Sequence, residues 1–347
     1  MKDIAGWRVV LFLGMIVLCT GCGPGAAGRN EGITLTMGYF PDLTHTVALV
    51  GVGSGIFQRE LGRQIQLHTQ TFNAGPAEIQ ALLAGSIDIA FVGPTPAING
   101  YIHSHGSALR VIAGASSGGV FFIVRADAGI RSPADLADKK IADPQKGGTQ
   151  DLALRHYLRV HRLQSSDQGG TVHIISTSNA SILSLFKEGQ LDGAWVPQPW
   201  ATRLVLEAAG RVFLDERALW PGGQFATTIV AARQAFYSSH PEVVKRFLQA
   251  DIDTVEYIRS RPAEAEQIAN QQIKASNGAS VQALELALAF QSIQVTYDPL
   301  ISTIAQQVDR LYTAGFLASR PDLAHLSLLT LLNEVLAARG LATVATS

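Results

Sequence analysis

The sequence predicts an α/β protein of two similar lobes, each a mostly parallel sheet flanked by helices. Two observations carry this. Short apolar, β-rich runs alternate with helix-length stretches from residue 33 to residue 196. Strands that read as continuous apolar runs belong to sheets covered on both faces, which are typically parallel. The second observation is an internal echo. LLAGSIDIAFVGPTPA (82–97) and LFKEGQLDGAWVPQPWA (185–201) align at a constant offset of 104, pairing Gly85 with Gly189, Asp88 with Asp192, Phe91 with Trp195 and Val92 with Val196. In each copy a helix ends at a Gly cap, a tight turn enters a buried strand, and a Pro-containing turn starts another helix. Two similar lobes, each supplying one rim of a cleft, explain the echo; shared helix–turn–strand grammar is the other explanation.

The chain opens with Lys2 and Arg8 and then an uncharged apolar run over 9–21. That length suits the apolar core of an export signal and is too short to span a bilayer. It ends in Thr20-Gly21-Cys22, small residues followed by cysteine. This is the cleavage pattern of bacterial lipoproteins, in which Cys22 would carry the lipid, although position 19 is Cys where Leu, Val or Ile is usual. An ordinary cleaved signal peptide over 1–21 is the alternative. Both cysteines of the chain, Cys19 and Cys22, lie here, so the mature domain would hold no disulfide, thiol nucleophile or cysteine-based metal site. Residues 22–32, rich in Gly and Ala, read as a flexible tether.

Roughly 315 residues follow, enough for one large or two medium domains. Strands are expected at 33–40, 64–72 and 87–93, with helices at 44–61 and 76–85 between them. Strands at 109–116, 120–127 and 141–145 follow, then a helix at 149–163, a strand at 172–178, a helix at 180–188 and a strand at 191–196. Residues 241–338 are almost all helical by periodicity and should pack back on the first lobe. The expected division is 33–119 for the first lobe, 120–224 for the second and 225–347 for the return. Charged residues make up 16% of the chain and the net charge is −1; without a basic stripe, nucleic acid is excluded as a partner. No later uncharged apolar run is long enough to span a bilayer.

In open parallel sheets ligands bind beyond the carboxyl ends of the strands. The turns there are 39–45, 93–96, 115–119, 147–151, 176–179 and 195–200, which are rich in hydroxyls, Gly and Pro and poor in fixed charge. Helix N-termini offer unpaired N–H groups and a partial positive charge, and so receive anions. Thr95 before Pro96 reads as an N-cap followed by Pro at N1. Gly148-Thr149 allows close backbone approach and begins the next helix. Each turn alone is explained as well by capping; their clustering points to an oxyanion held by neutral donors. His45 suits a ligand donor or a cap, and Trp195 and Trp200 suit a cleft wall or a core. Asp151 suits a helix dipole, and Asp88 and Asp192 suit turns. His103 and His105 are too close on a loop for a metal site, and no GxSxG, P-loop, HExxH or GxGxxG motif is present. No metal or cofactor is expected.

Through GYFPDLTHTVALVG (38–51), ALLAGSIDIAFVGPTPAINGY (81–101), GGTQDLALRHYL (147–158) and DGAWVPQPWATRLVLEAAGRVFLDE (192–216), the chain resembles the periplasmic-type solute-binding proteins of ABC importers. Within them it is most similar to the aliphatic sulfonate, nitrate and taurine group. The last two stretches, with TYDPL (296–300), look most like the sulfonate branch. The resemblance covers 33–320. It implies a type II periplasmic-binding-protein-like fold whose lobes are joined by two crossings, here near 118–124 and 222–230. It implies ligand contacts from Thr44, His45, Thr95, Ser116 and Ser117 in the first lobe and from Thr149, Gln150, Ser178, Trp195 and Gln198 in the second. Residues 145–148 read Gln-Lys-Gly-Gly, where related proteins often carry Gly-Asn or Gly-Ser before the Thr. The resemblance further implies a monomeric, non-enzymatic binder outside the cytoplasmic membrane, lipid-anchored through Cys22, that delivers a small organic anion to ABC permease subunits. An aliphatic sulfonate is the leading solute; nitrate, taurine, a phosphonate or a thiamine precursor are alternatives. Thiamine-pyrimidine and menaquinone enzymes share the scaffold, and the export signal and missing cysteines argue against them.

Overall fold

The computed structural model describes residues 32–346; the apolar leader, Cys22 and the tether up to residue 31 lie outside the described residues. The first lobe starts with β1 (Ile33–Tyr39), α1 (Thr46–Gly53), α2 (Ile56–Leu61), β2 (Ile65–Thr71), α3 (Gly75–Leu83), β3 (Ile89–Val92), α4 (Pro94–His103) and β4 (Leu109–Gly118). The second lobe holds β5 (Val120–Arg125), β6 (Lys140–Asp143), α5 (Thr149–Val160), β7 (His173–Ser176), α6 (Asn179–Lys187), β8 (Gly193–Pro197), α7 (Trp200–Glu207) and β9 (Gly210–Asp215). The chain then returns through β10 (Ala226–Arg233), α8 (Gln234–Ser239), α9 (Pro241–Ser260), α10 (Pro262–Asn277), α11 (Ala283–Phe290), β11 (Ile293–Val295), α12 (Ile301–Thr313) and α13 (Thr330–Ala338).

Two sheets result, in the orders β11-β4-β10-β3-β1-β2 and β7-β6-β8-β5-β9. They are mixed rather than mostly parallel. β1 is parallel to β2 and β3, and β6 to β7 and β8, while β10 runs antiparallel to β3 and β4, and β5 antiparallel to β8 and β9. The reason is the crossing. β4 carries the chain out of the first lobe and β10 brings it back, so neighbours of that kind must oppose one another.

The apolar strands are buried on both faces, as their composition requires. In β3, Ile89 and Phe91 enter one core while Ala90 and Val92 enter the other. In β8, Trp195 faces one core and Ala194 and Val196 the opposite one. The C-terminal helices close the first lobe: Phe247 of α9 stacks on Phe57 of α2 with ring centroids 5.0 Å apart. Burying a side chain of that kind stabilises by about 1.5–3 kcal/mol. The single helix expected over 44–61 is two, because Gly55 turns left-handed at φ 72° and restarts the chain in a new direction.

The internal echo is a repeated structural unit. Asp88 donates its N–H to Thr36 O (2.7 Å) and accepts from Thr36 N through Oδ2 (3.0 Å). Asp192 does the same with Lys140, at 2.8 Å in both directions. The sequence separation is 52 in each lobe. Each aspartate's carbonyl then accepts from an arginine, Arg233 and Arg125 respectively. The turn aspartates therefore clamp the start of one strand to its parallel neighbour in both lobes.

Gly118 and Gly119, at φ 76° and 72°, turn the chain from β4 into β5. The returning segment is tied to this turn: Thr227 Oγ1 donates to Gly118 O (2.8 Å), and Phe225 N donates to Ser117 Oγ (3.1 Å).

Candidate ligand-binding cleft

Between the lobes lies a small cavity of about 30 Å³. It is lined by the first residues of four helices: Gly75 of α3, the Gly93 cap of α4, Gly148, Thr149 and Gln150 at α5, and Asn179 of α6. Two helices come from each lobe. Their unpaired N–H groups and aligned peptide dipoles make the cavity a place for negative charge. Among the described residues no Lys or Arg lines it.

Three polar side-chain atoms in the wall are buried without a hydrogen-bond partner: Thr149 Oγ1, Thr228 Oγ1 and Asn179 Oδ1. Leaving such atoms unpaired costs about 1–3 kcal/mol each, and a ligand offering complementary oxygens or N–H groups removes that cost. The Asn amide can turn either its oxygen or its NH2 toward a ligand. Gly93 leaves the room that Thr149 uses, since a Cβ there would meet Thr149 Oγ1.

His45 and Asp42 complete the first-lobe wall. His45 Nδ1 accepts from Phe40 N at 3.2 Å, which places the proton of the neutral ring on Nε2. Burial pushes the His45 pKa down to about 3, so the ring is a neutral donor. Asp42 Oδ1 accepts from both Thr44 N (2.9 Å) and Thr44 Oγ1 (2.7 Å). Burial nevertheless raises its pKa to about 6. Asp143, just before the cavity residues Pro144 and Gln145, is raised to about 7 by burial and then by the nearby Asp151 charge. Asp151 itself binds Arg155 Nε at 2.6 Å and accepts from Gly147 N at 2.8 Å. It thereby fixes the loop that presents Thr149.

Of the residues expected to touch ligand, Thr44, His45, Thr149 and Gln150 line this cavity. The others lie elsewhere. Thr95 is not an N-cap: α4 starts at Pro94 with Gly93 as its cap, and Thr95 Oγ1 donates to Gln307 Oε1 of α12 at 3.3 Å. Ser116 Oγ donates to Thr44 O at 2.6 Å, bracing the Thr44 loop from behind. Ser117 serves the crossing described above. Ser178 caps α6 by accepting from Ser181 N and lines the outer cleft. Trp195 is fully buried in the second lobe and donates from Nε1 to Glu216 Oε2 at 2.8 Å. Gln198 is a joint between lobes: its carbonyl accepts from Leu43 N, its N–H donates to Gly119 O, and its Oε1 accepts from Thr202 N. Asn73, Thr227 and Thr228 line the cavity without having stood out in the sequence, and Asn179, the last residue of the 176–179 turn, lines it as well. Asn179 had a legible signal, its position at a helix start; Thr228 sits in the returning strand, and only the sheet order brings it to the cleft.

Outside the cavity the cleft widens into a groove of about 560 Å³ that shares Phe40, Asp42, Asn73 and Asn179 with it. Among the described residues no group of three or more His, Cys, Asp or Glu could hold a metal. Among them, too, no helix is long and apolar enough to cross a membrane.

A family model described as the NMT1-like family matches residues 28–273. A protein of Brucella abortus named as a binding protein is 26% identical over 304 residues, covering 84% of this chain and 89% of the relative. The taurine-binding periplasmic protein of Escherichia coli is 26% identical over 229 residues, covering 65% of this chain and 67% of its own. The solved alkanesulfonate-binding protein SsuA from Xanthomonas axonopodis pv. citri bound to MOPS superposes with a TM-score of 0.68 at 19% identity. That match covers 86% of this chain and 99% of the other, and it carries the fold alone.

Proposed function

The chain belongs to the NMT1-like family, and from that footing we propose that it is the extracytoplasmic solute-binding component of an ABC uptake system. It captures a small organic anion, foremost an aliphatic sulfonate, between its lobes and passes it to permease subunits. One observation carries the reading: four helix N-termini and three unpartnered buried polar atoms meet in a cavity that no Lys or Arg lines among the described residues. A sulfonate is a permanent monoanion with three acceptor oxygens, and buried neutral donors suit it. The domain after residue 32 has no cysteine, in keeping with a binder that performs no thiol chemistry. A single lipid on Cys22 and the tether behind it would hold the monomeric domain at the outer face of the membrane. Labelled-palmitate incorporation that Cys22→Ala abolishes is the expected result.

Isothermal calorimetry tests the solute. A short alkanesulfonate is expected to bind more tightly than nitrate, a phosphonate or a thiamine precursor, and heat from none of the sulfonates overturns the reading. Thr149→Ala should weaken binding by about 1–2 kcal/mol through one lost charge-assisted hydrogen bond. A second reading, an inorganic anion such as nitrate, is favoured by the small free volume of about 30 Å³. The same titrations separate the two.

A further inference from the structure

The loop that presents Thr149 is held from behind by a buried cation. Arg155 of α5 is 5% exposed. Its guanidinium donates to Asp151 Oδ1 from Nε (2.6 Å) and to Ser165 Oγ and Asp167 Oδ1 from Nη1 (2.7 and 2.8 Å). Both carboxylates reach on to the loop. Asp151 Oδ2 accepts from Gly147 N at 2.8 Å, and Asp167 Oδ2 accepts from Lys146 Nζ at 3.2 Å. On either side of these two anchors, Gln145, Gly148, Thr149 and Gln150 line the anion cavity. A buried guanidinium is tolerated only while its charge and donors are matched, so the geometry of this loop follows that of Arg155.

The other lobe covers a further face of Arg155. α12 is fixed in the first-lobe core through Ile304, Val308 and Leu311, and the turn that follows it packs Phe316 against the same core. Arg155 Cζ lies over the Phe316 ring, 5.7 Å from its centroid. Beside it, Ala314 O accepts from Gln168 Nε2 at 3.4 Å, and Gln168 Oε1 accepts from Ser165 Oγ at 3.3 Å. The first lobe thus touches the Arg155 network at two points. When the lobes part, water replaces the ring and the carbonyl. The effective dielectric around the guanidinium then rises, and its grip on the two carboxylates weakens.

We propose that Arg155 is a positioning residue for the anion site, and that the first-lobe turn 314–316 makes it sensitive to closure. The loop from Gln145 to Gln150 takes its binding geometry when Phe316 covers the guanidinium. Coupling of this kind is reciprocal, so an anion held at Thr149 strengthens the contact between the lobes. The position calls for arginine: its planar fork reaches two carboxylates and a hydroxyl while offering a flat face to the ring, which a lysine ammonium does not do. The proposal rests on the anion-capture reading above and concerns how the site is assembled, not which anion fills it.

The experiment combines hydrogen exchange of the full mature chain, without ligand and at saturating butanesulfonate, with calorimetry of butanesulfonate binding. Phe316→Leu keeps an apolar side chain on the first-lobe core and removes the aromatic face. It should speed exchange of the 145–151 segment in the opposite lobe and weaken binding about threefold. Phe316→Tyr should match the wild type in both measurements. Arg155→Lys keeps the charge and loses the fork; it should speed exchange of the same segment and weaken binding about tenfold. Should Arg155→Lys fail to fold, the Phe316 pair still decides, since Phe316 makes no hydrogen bond to the network through its side chain. Wild-type exchange at 145–151 in Phe316→Leu overturns the coupling between lobes, and wild-type affinity in Arg155→Lys overturns the positioning role. No heat from butanesulfonate with the wild type counts against the sulfonate reading alone, and the exchange comparison made without ligand then decides the positioning role.

Discussion

At the scale of single residues, the cleft combines donors with a carboxyl group that works against an anion. Asp42 lines the cavity with its pKa raised to about 6 by burial. A bound monoanion nearby opposes ionisation of Asp42 further. Two unit charges ~5 Å apart at an effective dielectric constant of ~20 repel by about 3 kcal/mol, an upper bound once solvent and protein relax. Binding therefore takes up a proton, and affinity should fall as pH rises through about 6. His45, neutral down to about pH 3, adds no titration in this range. Calorimetry of one sulfonate at pH 5 and pH 8 should show binding about tenfold weaker at the higher pH. Asp42→Asn, which keeps an acceptor for Thr44, should remove the part of the profile near pH 6 and leave only the part near pH 7 that Asp143, beside the cavity residues Pro144 and Gln145, can contribute; an unchanged slope near pH 6 in that variant removes Asp42 from the site.

At the scale of elements, the site depends on how closely the start of α4 approaches the start of α5. Gly93 faces Thr149 across the cleft, and a methyl group at 93 would meet Thr149 Oγ1. Gly93→Ala should therefore hold the lobes apart, with ligand binding at least tenfold weaker and a larger radius of gyration by small-angle scattering. The Gly93→Ala/Thr149→Ala double variant should recover compactness but not affinity. Single and double variants of equal size would argue that this contact does not limit closure. The same two helices mark what could be read from sequence. Gly148-Thr149 opening a helix was legible, because a Gly cap and a following amphipathic run are local signals. Thr95 was misread because Pro94 and Pro96 both suit N1, and only the backbone shows that Pro94 takes it. Phe91 and Trp195 occupy equivalent buried strand positions, so composition could not tell a core tryptophan from a cleft wall. Thr228 and the three-residue β11 had no local signal at all; their places follow from long-range sheet pairing.

At the scale of the whole molecule, several ionisable groups are buried where their charged form is disfavoured, and they give stability a definite pH dependence. Glu78 and Asp251 are fully buried with neither carboxyl oxygen hydrogen-bonded, and burial holds both well above the ordinary carboxylate range. Asp42 and Asp143 are raised to about 6 and about 7. Each of these groups loses its proton in the unfolded chain near pH 4 and keeps it longer in the fold. Their effect is thus nil below pH 4 and increasingly destabilising as pH rises toward the folded values. His45 and His156, lowered by burial to about 3 and about 4, act the other way: protonation favours the unfolded chain as pH falls below about 6.5. Above that pH both histidines are neutral in either state and the carboxyls alone set the slope. Stability should therefore decline as pH rises from 6.5 to 8.5, through Asp143 near pH 7 and through Glu78 and Asp251, whose carboxyls burial holds well above the ordinary range. Urea unfolding at pH 6.5, 7.5 and 8.5 measures this. Glu78→Gln and Asp251→Asn, which replace a titrating group by a neutral one of similar shape, should each reduce the slope, and the slope left in the double variant should be confined to the region near pH 7 where Asp143 titrates. A slope above pH 7.5 that is as steep in the double variant as in the wild type would mean that neither Glu78 nor Asp251 sets it.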